Sequence, residues 1–307
     1  MDWSQRAFVK IMKEIADEEN IELSLYSEGW AQKLTNNNKT AFIYGYKFPN
    51  NSASSEQVCN DKPCVSEILD SKNIKNVKHI HFTAPFILSL KEQEEDKKKL
   101  EALLSKYKKL VIKPVSGTGG KDVYKAETLE EIENAVNIIT LKNRDFCVCP
   151  YEKIEDEARV IILDKEIMLV FKKERPFVLG DGEHTVKELI FLSGMEIKAE
   201  EDLICDLSFI PKKNEKSEIS WKHNLGRGAY PFVVKDEAEI NELSKIAIPA
   251  FCALNVNFAS VDIVKTSEGY KVLEINSGVM MENFAKSSEE NYNKAKSIYK
   301  KAIMKMF

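Results

Sequence analysis

The stretch Lys113-Pro114-Val115-Ser116-Gly117-Thr118-Gly119-Gly120-Lys121 follows directly on an apolar run, Leu110-Val111-Ile112. A strand that ends in a glycine-rich turn can wrap its backbone N–H groups around phosphate oxygens, with lysine adding positive charge. Spacing excludes two familiar phosphate loops. A P-loop has glycine six residues before its lysine and Ser or Thr after it, where this chain has Val115 and Asp122. The dinucleotide fingerprint GxGxxG needs glycine where Asp122 stands and must open a helix, whereas the residues up to Tyr124 read as a strand. A protein kinase places its glycine loop ahead of its strand lysine, and HRD and DFG motifs are absent. Taken alone, the segment is a phosphate signal with a plain tight turn between strands as its alternative.

A second constellation lies far downstream, in Ser260-Val261-Asp262-Ile263-Val264 and Val272-Leu273-Glu274-Ile275-Asn276. Glu274 and Asn276 are two apart and share one face of a strand; if the two segments pair, Asp262 joins them. Carboxylates among apolar neighbours are costly without partners. Oxygen donors of this kind suit magnesium held beside nucleotide phosphates. The plain alternative is a sheet edge with satisfied polar groups.

Between and around these segments the chain alternates helix and strand patterns, an α/β composition. Phe8, Ile11, Met12 and Ile15 predict a helix from Trp3 to Glu19, and strands are expected at 21–25 and 41–46 with a loop at 50–55. Lys91 to Lys109 predicts a solvated amphipathic helix carrying Leu100, Leu103, Leu104 and Tyr107. Thr128 with Glu131 predicts a capping box, and Asp164-Lys165 the turn of a hairpin. Helices are also expected over 185–192, 236–254 and from Glu289 onward. With 307 residues, 43% apolar, the chain can bury a full core in two or three small domains. Its 45 basic and 49 acidic residues leave a net charge of −4, which argues against a nucleic-acid partner. No apolar run is long enough to span a membrane, and no basic-then-apolar leader opens the sequence, so a cytoplasmic setting is expected. The six scattered cysteines form no disulfide or zinc framework and are expected as buried thiols.

Lysine before a glycine-rich turn, followed by Asp and Glu-x-Asn on late strands, resembles the ATP-grasp superfamily over nearly the whole chain. The resemblance implies two α+β lobes gripping ATP behind a small N-terminal α/β domain: residues 1–60, a first lobe 61–148 with the phosphate loop, and a second lobe 149–307 with the metal site. It implies that Lys62 and Lys113 reach the nucleotide phosphates and that Ser116, Gly117, Thr118, Gly119 and Gly120 close over them. Tyr151, Glu152, Lys153 and Ile154 fall at the adenine hinge, Glu157 at the ribose and Arg159 at the transferred phosphate. Asp262, Glu274 and Asn276 match the ligands of two magnesium ions, with manganese able to substitute. Trp221 to Gly228 resembles the Arg-x-Asn-x-x-Arg-Gly-Gly segment of the ribosomal-protein glutamate-adding ligases, which implies acyl-phosphate contacts from Lys222, Asn224 and Arg227. Lys222 stands where the first arginine is expected, and Ala229 where the second glycine is. Arg175 to Ile190 resembles a segment of cyanophycin synthetase and the bifunctional glutathione synthetases. The implied activity is a carboxylate–amine ligase forming an amide through an acyl phosphate, acting on small carboxylate and amine substrates. A ligase that modifies a peptide and a non-catalytic ATP-binding relative are the alternatives, and a homodimer is compatible with the resemblance.

Overall fold

The computed structural model describes residues 5–307 except 118, 143 and 196–201. Helix α1 (Ala7–Glu19) buries the expected stripe of Phe8, Ile11, Met12 and Ile15 and ends where Asn20 turns left-handed. Its expected start at Trp3 lies outside the described residues. Strands β1 (Glu22–Tyr26), β2 (Ala31–Asn36) and β3 (Lys39–Tyr44) form an antiparallel meander. The middle strand escapes sequence patterning because one of its two fully buried positions is Gln32, beside Leu34. Helix α2 (Ala53–Asn60) overlaps the expected loop. Ser52 caps it by accepting a hydrogen bond from Ser55 N, so polar residues that suggested a loop start a helix. Asp61 then caps α3 (Lys62–Ser71) through Cys64 N.

The next elements are β4 (Ile80–Phe82), α4 (Leu90–Tyr107), β5 (Leu110–Pro114), β6 (Tyr124–Ala126), α5 (Leu129–Thr140) and β7 (Phe146–Pro150). Their strands form a four-stranded antiparallel sheet in the order β4-β7-β5-β6, packed through Leu110, Ile112 and Val148 against α4 and α5. The capping box of Thr128 with Glu131 is present in both directions.

Strands β8 (Asp156–Leu163) and β9 (Glu166–Glu174) form the expected hairpin, with Asp164 and Lys165 both at positive φ, the conformation that matches strand twist in a two-residue turn. A small unit of β10 (Phe177–Leu179), α6 (Val186–Leu192) and β11 (Lys216–Glu218) has its own apolar cluster around Val178, Val186, Ile190 and Ile219. Then come β12 (Tyr230–Val233), α7 (Glu237–Ala253), β13 (Phe258–Thr266), β14 (Gly269–Asn276), α8 (Glu282–Ser287) and α9 (Glu289–Met304). The second large sheet runs β12-β9-β8-β13-β14, again antiparallel.

Both faces of this five-stranded sheet are covered. Val160, Ile162 and Val170 pack with α3 and α7 on one side. Ile161, Leu163 and Phe171 pack on the other with α1, α8 and α9. Phe48 is the hub of that second core, its ring centroid 5.2 Å from Phe258, 5.7 Å from Tyr299 and 6.1 Å from Phe8. Residues from the meander, the large sheet and the last helix therefore share one apolar body. Phe48→Ala removes the hub and leaves a cavity; the expected loss is about 3–5 kcal/mol, read as a lowered midpoint in denaturant unfolding followed by circular dichroism.

Candidate active site

The two large sheets face one another across a cavity of about 490 Å³, a size that admits small ligands. Its floor is set by strand register. Asp262 on β13 lies opposite Arg159 on β8 and opposite Glu274 on β14, and Ser260 lies opposite Asn276. Directly opposed residues project to the same face, so Arg159, Asp262 and Glu274 form one row across three strands.

Asp262 is almost completely buried, and its charge is matched rather than avoided. Arg159 donates two parallel bonds, Nε to Oδ1 and Nη2 to Oδ2, both at 2.7 Å. Lys173 Nζ donates to Asp262 Oδ2 at 2.9 Å and to Glu157 Oε1 at 2.6 Å. Burial alone would raise the Asp262 pKa, but Arg159 and Lys173 hold it well below the usual carboxylate range. Arg159 is correspondingly pushed above its ordinary value against the opposing effect of burial, chiefly by Asp262. Lys173 went unrecognised in the sequence because it stands in the charged run Lys172-Lys173-Glu174-Arg175, which reads as a solvated strand end; its spacing of two from Phe171, which puts both on one face, was the available signal.

The phosphate-loop side holds two lysines, Lys113 buried and Lys62 half-buried. Lys113, on β5, is 8% exposed and lines the cavity. Lys62, at the start of α3, donates through Nζ to Gly117 O at 3.1 Å and Val115 O at 3.4 Å. Burial and, secondarily, nearby Lys113 lower its pKa, while Glu274 pulls the other way. From the opposite side Lys222 Nζ donates to Gly120 O and Val123 O. The loop is thus gripped at both ends by lysines, and Asp122 beyond it is anchored by Lys142 and Arg144.

Of the residues expected at the site, Lys62, Lys113, Gly117, Gly119 and Gly120 line the cavity, as do Tyr151, Glu152, Ile154 and Glu157. Arg159, Lys222, Asn224, Asp262, Glu274 and Asn276 do so too. Ser116 and Lys153 are not among its lining residues, and Thr118 lies outside the described residues. Arg227 is also absent from the lining: its Nη1 pairs with Asp202 Oδ2 at 2.6 Å, and Lys222 Nζ pairs with the other oxygen at 2.8 Å. Asn224 Oδ1 accepts from Gly226 N and so shapes its own turn. Glu157 is bonded to Lys173, on the sheet floor.

The hinge segment is fixed by Arg175, which donates to Ile154 O at 2.7 Å, to Glu218 and to His223 Nε2. His223 Nδ1 lies 2.7 Å from Lys173 O, so a neutral ring donates there and accepts from Arg175; burial lowers its pKa accordingly. Val77, Val111, Cys149 and Leu273 add apolar walls near the hinge. All six thiols are free, with Cys59, Cys147 and Cys149 buried, Cys64 and Cys205 half-buried, and Cys252 exposed, contrary to the expectation of burial throughout.

A cation would find hard oxygen donors here. Asn276 Nδ2 donates to Glu274 Oε1 at 3.0 Å, leaving the second Glu274 oxygen and the Asn276 carbonyl as acceptors. This set fits magnesium, whereas Asp262 would first have to loosen its bonds to Arg159 and Lys173. Among the described residues no group of three or more His, Cys, Asp and Glu side chains converges as a cation site.

A family profile described as the RimK-like ATP-grasp domain matches residues 212–300, the stretch that carries β13, β14 and the Asp262–Glu274–Asn276 set. The chain has an ATP-grasp fold. It is 30% identical to a bifunctional glutathione biosynthesis protein of Listeria welshimeri, over 55% of this chain and 25% of that one. It is 24% identical to a tetrahydromethanopterin:alpha-L-glutamate ligase of Methanococcus maripaludis, over 64% of this chain and 53% of that one. The chain thus spans a quarter to about half the length of these curated relatives. Among solved structures, a bifunctional glutathione synthetase from Pasteurella multocida superposes with a TM-score of 0.59 at 16% identity, covering 95% of this chain and 44% of that one. The ATP-grasp fold expected from the sequence is the fold observed. Among the described residues no helix is long and apolar enough to cross a membrane.

The buried charge row has a measurable pH signature. Asp262→Asn leaves the buried Arg159 without its paired carboxylate and Lys173 with Glu157 alone, and is expected to cost about 3–5 kcal/mol at neutral pH. A carboxyl held low in the folded state stabilises above its unfolded pKa and loses that contribution as pH falls toward the folded value. The gap between wild type and variant is therefore expected to be constant above about pH 5 and to narrow below about pH 4, measured by urea unfolding across that range.

Proposed function

We propose that the cavity binds ATP and uses it to activate a carboxylate for attack by an amine. The observation that carries this reading is the convergence, in one cavity, of Lys62, Lys113 and the glycine-loop backbone with Glu274, Asn276 and Asp262. Adenine would lie between Val77, Val111 and Leu273 against the backbone of 151–154. The triphosphate would run past Lys113 and Lys62 beneath the loop, where Lys62 gives up weak carbonyl contacts for charge-assisted ones. Glu274 and Asn276, with Asp262, would hold magnesium. Bound there, the ion neutralises phosphate charge.

In this reading a carboxylate oxygen of the substrate attacks the γ-phosphorus, and ADP leaves. The amine nitrogen then attacks the acyl carbon, inorganic phosphate departs, and the nitrogen loses its proton to solvent. Arg159 and Lys222 place positive charge beside the transferred group. His223, neutral and bonded at both ring nitrogens, orients the floor rather than shuttling protons. The loop 116–121 excludes water from the acyl phosphate when it closes.

Lys113→Ala is expected to weaken ATP binding by about 2 kcal/mol in calorimetric titration. Glu274→Gln keeps shape but removes charge, and with saturating ATP and magnesium phosphate release is expected to fall at least about 100-fold, with unchanged circular dichroism. Normal turnover by folded Glu274→Gln protein would overturn the assignment. Amide exchange over 116–121 is expected to slow on addition of a non-hydrolysable ATP analogue, as Lys62 and the loop regroup around phosphate.

A further inference from the structure

The N-terminal meander supplies one wall of the same cavity, and its chemistry differs from the rest. Trp30, Tyr44, Gly45, Tyr46 and Lys47 line it. The indole of Trp30 meets Tyr44 and Tyr46 edge-on, with ring centroids 6.2 Å away in each case. Gly45 makes this packing possible: a Cβ there would stand 2.9 Å from the indole, and its φ of +62 also disfavours a side chain. The wall joins the cation-site strand directly. Tyr46 O accepts from Val279 N at 3.1 Å, and Lys47 bridges to Gly278, two residues beyond Asn276.

Charge decides what such a bay prefers. The Arg6 guanidinium lies 4.8 Å from the Trp30 ring centre and 5.3 Å from that of Tyr46. Arg6 is buried and does not line the cavity, so it sits behind the rings. A cationic ligand group in the bay would be repelled by a guanidinium already using those ring faces. An acidic side chain would need a cation, and the wall's own is Lys47, already 3.5 Å from Glu56. An uncharged aromatic ring meets neither objection and pairs with rings in the preferred edge-on geometry.

Resting on the proposed ligase reading, we infer that the carboxylate substrate carries an aromatic group, seated among Trp30, Tyr44 and Tyr46, with its carboxylate directed toward Asn276 and the phosphoryl-transfer centre. This differs from the glutamate named for the methanogen relative. Trp30 and Tyr44 act as specificity-determining residues.

The test is calorimetric and saturation-transfer binding of 3-phenylpropionate and L-phenylalanine, against glutamate and succinate. Each is measured with and without a non-hydrolysable ATP analogue and magnesium. At least one aromatic acid is expected to bind about tenfold or more tightly than the dicarboxylates. That preference is expected to vanish in Trp30→Ala and in Tyr44→Ala, the latter at a 63% exposed position outside the buried core. Trp30→Phe is expected to retain it, and affinity for the analogue is expected to be unchanged in all three. Tighter or equal binding of glutamate, no aromatic binding, or aromatic binding indifferent to both alanine variants overturns the inference. Failure of the analogue to bind would overturn the ATP reading instead, and the nucleotide-free arm would still decide the bay.

Discussion

A carboxylate with almost no solvent exposure must be charge-matched by its neighbours, and Asp262 imposes that requirement on everything around it. Arg159 meets it in parallel across β8, and Lys173 meets it from β9 while also holding Glu157. The pairing depends on strand register, since a one-residue slip would turn Asp262 and Arg159 to opposite faces. The same register places Glu274 beside Asp262 and Asn276 opposite Ser260. The charge row therefore works as an alignment pin for the sheet as well as a floor for the cavity.

Around that floor Lys62, Lys173 and Lys222 each hold more than one partner. Lys62 and Lys222 take backbone carbonyls of the glycine loop, contacts that are easily exchanged for stronger anions. Asp202, by contrast, holds Lys222 and Arg227 with a full negative charge. The loop's two ends thus differ in how readily they let go. Arg175 adds a rigid element, fixing Ile154 of the hinge and His223 of the floor in one side chain.

Much of this was legible in the sequence where local chemistry and strand period coincide. Lys113 and the glycines sit on a strand–turn unit, and Glu274-x-Asn276 is a period-two pair, so both could be placed without tertiary knowledge. The capping box at Thr128 and the hairpin at Asp164-Lys165 are local as well. What escaped is non-local or breaks pattern. Gln32 occupies a core position in β2, Ser52 looks like loop until it caps α2, and Lys173 acquires meaning only beside Asp262. The aromatic wall was illegible because Trp30, Tyr44 and Tyr46 meet only once the meander is folded.

The core around Phe48 also orders events in time. Helix α1 packs on α9, with Tyr292 bonded to Glu14 across 278 residues of chain and Tyr299 stacked edge-on against Phe8. A ribosome delivers α1 first and α9 long afterward, so the apolar stripe of Phe8, Ile11 and Ile15 emerges without its partner. During synthesis that stripe must be shielded by other means, such as a chaperone or provisional contacts with the meander. Slow or interrupted translation between α1 and α9 would thus leave a nascent chain with an exposed, adhesive helix.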